Sequence, residues 1–322
     1  MKNENRKPET LIEAIQFFSD EDMAIQFLAS VRWPEGAKCP VCGRTDVVYL
    51  ARQRRWQCKS VHEHRQFSVK VGTIFEDSAV PLGKWLIALW MEANAKNSIS
   101  SYEVSRAIKV TQKTAWFMQQ RIRLALQQGT FTKMTGEVEI DETFIGGKFR
   151  NMHAGVQRAK GRGSVGKAVV MGLLQRHGEV RTLVVNNTRR KTLQPYVLAH
   201  VEKGSRVYTD ALRSYAGLNA EYLHEFIDHA ECYVRGNVHT NGLENFWSLF
   251  KRCIKGTHVS IEPFHLFRYL DAETFRFNNR KIRDGERFQI GLSGVNGKRL
   301  TYKALIGETE GLLPNGNAVG NA

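Results

Sequence analysis

Three cysteines and two histidines near the N-terminus have the types and spacing of a metal site. Cys39-Pro-Val-Cys42-Gly43 is a knuckle in which two thiolates can grip one ion, and Gly43 permits the tight turn. Cys58 follows Cys42 by 16 residues, as in a zinc ribbon. His62 and His64 are both within reach as the fourth ligand, and spacing leaves the choice between them open. Four protein ligands close the coordination sphere, so such a zinc would fold the module and take no part in catalysis. The chain holds 5 cysteines. An odd number argues against a disulfide framework, and Cys232 and Cys253 stand alone.

The second chemistry belongs to carboxylates. Asp141 is expected to end an alternating strand in which Glu137, Glu139 and Asp141 face one way and Val138 and Ile140 the other. Asp210 ends the run Val207-Tyr-Thr-Asp210, directly before a helix start that an aspartate could cap. Glu244 stands in capping-box spacing with Asn241, which is the structural alternative to a chemical role. Helical geometry also places Glu244, Ser248 and Lys251 on one face, beside an apolar stripe of Leu243, Trp247 and Phe250. Two strand-end aspartates and a helix glutamate could hold two divalent ions about 3.5 to 4 Å apart for phosphodiester chemistry. Mg²⁺ suits few carboxylates, because water and substrate oxygens complete its shell.

These residues need elements to position them. Thr10 to Val31 reads as two short amphipathic helices with Ser19 or Asp20 as the intervening cap. Short β-like pieces at Val47–Leu50, Arg55–Cys58 and Gln66–Lys70 follow, in a segment too small to own a hydrophobic core. Leu82 to Leu126 is helical, and Ser101–Ile108, a turn, and Thr114–Leu126 outline a helix-turn-helix. Strands are expected at Glu137–Asp141, Ala168–Leu174, Val180–Val185 and Arg206–Asp210. Helices are expected from Lys191 to about Val201, from Gly242 to Arg252 and from Pro263 to Arg280, giving an α/β layer with a mixed sheet. The final residues, Leu313 to Ala322, read as a disordered tail.

Charge sets the partner. The 322 residues carry 47 Lys+Arg against 32 Asp+Glu, a formal +15 at pH 7. The longest apolar run, Trp85 to Met91, is far short of the roughly 18 to 20 residues that span a bilayer, and no secretory h-region follows the polar start. A cytoplasmic, non-membrane protein with a polyanionic partner is expected. Arg54, Arg55 and neighbouring cations make the ribbon basic, and Lys113 falls in the helix-turn-helix. Lys148 to Lys167 carries six cations, including Arg158, Lys160 and Arg162, and no acid, the composition of a loop that could track a DNA backbone.

The order of these motifs carries a resemblance: the zinc knuckle, Val71-Gly-Thr-Ile-Phe-Glu-Asp-Ser78, the helix-turn-helix, Glu139-Ile-Asp-Glu-Thr-Phe-Ile-Gly-Gly147, Tyr208-Thr-Asp210, His239-Thr-Asn-Gly-Leu-Glu244, Lys251 and Phe277-Asn-Asn-Arg280. From about residue 10 to 290 the chain resembles the zinc-ribbon DDE transposases of bacterial insertion sequences, the ISXO2-like group. The resemblance implies a multi-domain α/β protein whose catalytic core is RNase H-like. Its segments would be 1–35 helical, 36–78 zinc ribbon, 79–130 helix-turn-helix, 135–285 catalytic core and 286–322 extension. It places the triad on Asp141, Asp210 and Glu244, with Lys251 seven residues after the glutamate. Some relatives use asparagine as the third residue, which brings Asn241 into view, but a carboxylate holds a hard divalent ion better than an amide. Mg²⁺ or Mn²⁺ would be catalytic and Zn²⁺ structural. Partners would be double-stranded DNA, both element ends and target, and further copies of the chain on that DNA, in the bacterial nucleoid. The activity implied is metal-dependent cleavage and strand transfer at terminal inverted repeats. A DNA-binding regulator with an inactive core, or a structure-selective nuclease, would share many of these features.

Overall fold

A computed structural model describes residues 7–129, 132–147, 167–227 and 239–308. Most of the basic segment after Lys148, including Arg158, Lys160 and Arg162, lies outside them, as do Cys232 and the tail from Leu313. The described residues fall in two compact units, one within Met1–Gln127 and Lys281–Ala322, the other within Gln128–Arg280.

In the first unit, α1 (Leu11–Phe18) starts at a capping box between Thr10 and Glu13, and α2 (Glu21–Arg32) starts at Asp20, whose carboxylate accepts from the N–H groups of Asp22 and Met23. Three antiparallel strands follow, β1 (Val47–Leu50), β2 (Arg55–Cys58) and β3 (Gln66–Phe67). The small sheet does have an apolar anchor. Trp56 stacks on Phe67 at 6.4 Å and meets Tyr49 at 4.6 Å and Trp33, from the end of α2, at 5.2 Å.

Helix α3 (Leu82–Asn94) begins at Pro81, which offers no side-chain cap, and Glu21 of α2 instead accepts from the N–H groups of Leu82 and Gly83 at 2.7 and 3.1 Å. A Cβ at Gly83 would lie 2.0 Å from the Phe18 carbonyl oxygen, so this close crossing requires glycine. Helices α4 (Ser101–Ile108) and α5 (Gln112–Leu126) are joined at Lys109, in the left-handed region, with Thr111 capping α5. Two of the cations that make α5 basic face inward. Arg123 pairs with the fully buried Glu92 at 2.8 Å, and Arg121 donates to the Glu76 carbonyl and lies over the Trp85 ring. The helix Asp284–Ser293 returns to this unit and sets Phe288 against Phe18, Phe27 and Trp90.

The second unit is built on β4 (Glu137–Ile145), β5 (Ala168–Gln175), β6 (Val180–Val185), β7 (Arg206–Asp210) and β8 (Leu223–Ile227), in the order β6-β5-β4-β7-β8. Pairing is antiparallel through β4, β5 and β6 and parallel through β4, β7 and β8, a mixed sheet as expected. Helix α6 (Arg190–His200) covers one face, where Leu193 and Val197 join Val138, Ile140 and Met171. Helices α7 (Asn241–Cys253) and α8 (Leu266–Asn278) cover the other, where Leu243, Phe246, Trp247 and Phe250 pack with Val170, Leu266 and Leu270.

One expectation needs correction. Asp141 does not end its strand: β4 runs four residues further, because Glu142 to Ile145 continue in register with β5, Ile145 opposite Ala168. What ends at Glu139 is the pairing of β4 with β7. Asp141 therefore stands where one neighbouring strand has left and the other continues.

Candidate functional site

In the ribbon, one ligand atom from each of Cys39, Cys42, Cys58 and His62 lies within 4.8 Å of the others. Cys39 Sγ is 3.4 Å from His62 Nε2, and Cys42 Sγ is 3.6 Å from Cys58 Sγ. Ligands of a tetrahedral zinc with bonds of 2.0 to 2.3 Å stand about 3.6 Å apart, so the donor set fits that ion. The histidine tautomer fits as well. His62 Nδ1 is 2.6 Å from the Glu63 carbonyl oxygen, which can only accept, so Nδ1 carries the proton and Nε2 turns its lone pair to the thiolates. Burial pushes the Cys58 thiol up, but hydrogen bonds led by that of His62 outweigh it and bring the group down to about 6. His64, the other histidine in reach by spacing, points away from the cysteines, its side chain 81% exposed and 3.8 Å from Glu63. Gly43 takes φ +72°, as the knuckle requires.

In the second unit, carboxylate oxygens of Asp141, Glu142 and Asp210 lie within 4.8 Å of one another. Glu142 is a residue that the sequence pattern passes over. Its alternation with Asp141 assigns it to the opposite face, and only beyond the end of the β7 pairing does its carboxylate join the other two. Burial pushes Asp141 up from 3.8 to about 6, and the Asp210 and Glu244 charges add to the rise. Glu142 is driven to about 9, by burial first and then by the Asp210 and Asp141 charges. Glu142 Oε1 is buried without a hydrogen-bond partner among the described residues. Crowded hard oxygen donors with an unsatisfied member fit a divalent cation, which would supply the opposite charge that the protein withholds.

Glu244 lies outside that cluster but shares a groove with it. The groove, about 750 Å³, is walled by Asp141, Glu142 and Thr143 on the β4 side and by Glu244, Trp247, Ser248, Lys251 and Arg252 on the α7 side. The capping box of Asn241 and Glu244 does not form. Thr240 is the N-cap residue and gives no side-chain bond. The cap comes from the sheet, where the buried Glu139 carboxylate accepts the Leu243 N–H at 3.1 Å. Asp210 makes the turn contact expected of it, accepting from the Leu212 N–H at 3.1 Å, although only a short 3₁₀ segment, Arg213–Tyr215, follows.

The comparisons with known proteins bear on both sites. Residues 19–63 match the model of the transposase zinc-ribbon domain, and residues 133–278 that of the ISXO2-like transposase domain. A protein of the transposable element ISH50 of Halobacterium salinarum is 30% identical over 277 residues, 81% of this chain and 92% of that protein. A transposase-like protein of Haemophilus influenzae is 37% identical over 107 residues, 33% of this chain and 85% of that protein. The chain belongs to the ISXO2-like transposase family. Its Cys₃His cluster is thus that of a zinc-ribbon domain, and its carboxylate groove lies in the transposase domain.

Within the transposase domain, further residues hold the groove in shape. Trp247 Nε1–H donates to Asp141 Oδ2 at 3.0 Å, and the indole occupies the space over Gly172, which pairs with Asp141 across β4 and β5. A Cβ at Gly172 would meet the indole at 2.6 Å. Arg176 donates to Glu139 at 3.0 Å and to the His239 carbonyl at 2.9 Å while lying over the Tyr208 ring, so it ties the entry of α7 to the sheet. A lone glycine in an apolar strand was the available sign of the first contact. Among the cations expected to face DNA, Arg55 and Lys113 are exposed, whereas Arg54 is held by Asp22 through bonds of 2.7 and 2.9 Å. No described helix is long and apolar enough to cross a membrane.

Three outcomes follow from this geometry. His62→Ala should lower zinc content and destabilise the ribbon by several kcal/mol, while His64→Ala leaves both unchanged, as read by metal analysis and thermal melting. For Asp141, a folded pKa raised to about 6 means that ionisation disfavours the fold: the penalty is small below pH about 4, grows between about 4 and 6, and is complete above that. In chelator, Asp141→Asn should therefore raise the melting temperature at pH 8, by at most about 3 kcal/mol of stability, and leave it nearly unchanged at pH 4. Gly172→Ala should displace the indole, visible as a change in tryptophan fluorescence, with a loss of about 1 to 3 kcal/mol.

Proposed function

We propose that this transposase-family protein cleaves DNA at the ends of its element and joins the freed 3′ ends to target DNA, with Asp141, Asp210 and Glu244 holding catalytic divalent ions. The observation that carries the reading is the cluster of half-buried, charge-crowded carboxylates on β4 and β7, with α7 bringing Glu244 and Lys251 to the same groove. Bound there, Mg²⁺ or Mn²⁺ would activate the attacking oxygen and stabilise the leaving one.

The chain's own residues do the rest. Asp141, held by Trp247 and the Glu142 N–H, presents its carboxylate in a fixed orientation. Asp210, bound to the Leu212 N–H, closes the cluster from β7. Glu142 joins the donor set in this reading, its buried oxygen having no other described partner. Lys251 contacts a phosphate and neutralises charge as it builds up in the transition state. Water attacks first and frees a 3′-OH, and that hydroxyl then attacks the target strand in line, without a covalent protein intermediate. The fold class expected of such a core is RNase H-like, and the mixed five-stranded sheet is consistent with it.

The zinc ribbon, through exposed cations such as Arg55, and the first turn of α5, through Lys113, bind the element ends in this reading. Arg158, Lys160 and Arg162 track the backbone. Two ends are held by at least two copies of the chain, in the cytoplasm on nucleoid DNA. The test is Asp210→Ala in the full chain, on a duplex bearing the element's inverted repeat with Mg²⁺ or Mn²⁺. Cleavage and joining should both fall by at least about 10³-fold while DNA binding persists. Retained metal-dependent activity would remove Asp210 from the chemistry, and cleavage without joining in the unmodified chain would favour a nuclease.

A further inference from the structure

Helix α7 continues beyond the carboxylates in a way that the triad does not use. At about 100° per residue, Glu244, Ser248 and Lys251 lie within about 40° of one line along the helix, Arg252 borders it, and Lys255 follows in the turn after the helix end. All five line the groove that holds Asp141. Acid stands at one end and cations at the other. Among the described residues, none of Lys251, Arg252 and Lys255 forms an ion pair, and all three are exposed.

Cations near a helix C-terminus also suit the helix dipole, which would be reason enough for their presence. The local backbone indicates more. The α-helix ends at Cys253, and Ile254–His258 continues as a π-helical turn closed by the Val259 N–H on the Ile254 carbonyl at 2.7 Å. Val259 takes φ +62°, a conformation that is unfavourable for a β-branched residue, with its side chain 80% exposed. Such turns and outliers persist where surrounding structure imposes them, and they concentrate at functional sites. Here Ile254 packs against the core cluster that includes Tyr269, and the Tyr269 ring meets His258 at 4.8 Å. The turn keeps Lys255 and Gly256 on the groove wall, and Gly256 leaves open space where a Cβ would stand.

We infer that Arg252 and Lys255 continue outward from Lys251 as a phosphate track that holds the DNA strand flanking the scissile phosphodiester, with Gly256 admitting the sugar-phosphate backbone close to the protein. This rests on the reading of the groove as the DNA-cleaving site. At a rise of about 1.5 Å per α-helical residue, Lys251 lies about 10 Å and Arg252 about 12 Å beyond Glu244, and Lys255 follows in the π-helical turn. One DNA strand advances about 3.4 Å per phosphate, so the track covers about two to three consecutive phosphates on one side of the cut. Contacts to phosphates position a duplex without reading its sequence.

The experiment measures binding of the full chain to duplexes of two unrelated sequences between about 50 and 200 mM salt, by fluorescence anisotropy. Arg252→Gln and Lys255→Gln should each reduce the slope of log Kobs against log salt by about 0.9, and the double variant by about 1.8, equally for both sequences. Lys255→Arg should keep the slope of the unmodified chain, and so should the control Lys203→Gln, whose lysine pairs with Glu221. An unchanged slope in the double variant overturns the track. A sequence-dependent loss overturns its phosphate character. If Asp210→Ala abolishes cleavage while the double variant keeps its slope, the track alone fails. If Asp210→Ala still cleaves, the catalytic reading fails, whatever the slope.

Discussion

Mutual repulsion of carboxylates is the constraint around which the transposase domain is arranged. Oxygens of the half-buried Asp141, Glu142 and Asp210 lie within 4.8 Å of one another, and like charges that close repel. The fold opposes that repulsion by rigidity. Continuous pairing of β4 with β5 fixes Asp141 from one side, and the Trp247 indole over Gly172 fixes it from above. A strand end alone would let the side chains swing apart. Divergence of β4 from β7 after Glu139 is what opens room for all three carboxylates.

Glu139 and Glu244 show how position divides the labour of identical side chains. Glu139 is buried, paired with Arg176 and bonded to the Leu243 N–H, so its charge is spent on docking α7. Gly242 lies so close to that carboxylate that a Cβ would sit 2.8 Å from its Oε2. With the helix start capped from the sheet, Glu244 is released from the capping box that its spacing suggests and lies instead on the groove. Removing Glu139 would leave Arg176 buried without its closest carboxylate partner, which makes the docking costly to lose.

Much of this was legible in the sequence because it rests on short-range rules. The Cys39-Cys42-Cys58 spacing, the cap between the first two helices, the apolar stripe of α7 and the alternation of Val138 and Ile140 are local, and each element forms where its pattern lies. What was illegible depends on partners distant in sequence. His62 and His64 differ in spacing by two residues, and only the approach of Cys39 and the Glu63 carbonyl separates them. The length of β4 is set by β5, the cap of α7 by Glu139, 104 residues away, and the neutralisation of Arg54 by Asp22. Strand β8 has exposed Leu223 and Phe226 and lies at the sheet edge, where no pattern of burial marks it.

The net charge of +15 conceals a division between cations that build and cations that remain available. Arg123, Arg176 and Arg276 are tied to glutamates inside their units, and Arg32 and Arg121 are spent on backbone carbonyls. Arg55, Lys113, Lys251, Arg252 and Lys255 are exposed, and in the proposed reading they meet phosphate. Net charge governs how fast a basic chain finds DNA from a distance. Where the duplex stops is decided at short range, and there the groove presents acid and base in sequence along one helix. In the proposed reading, a phosphodiester drawn in by the cations would be repelled by the carboxylates unless a divalent ion lay between them. If the groove is the DNA-cleaving site as proposed, metal and DNA would bind it cooperatively, each supplying the charge that the other needs.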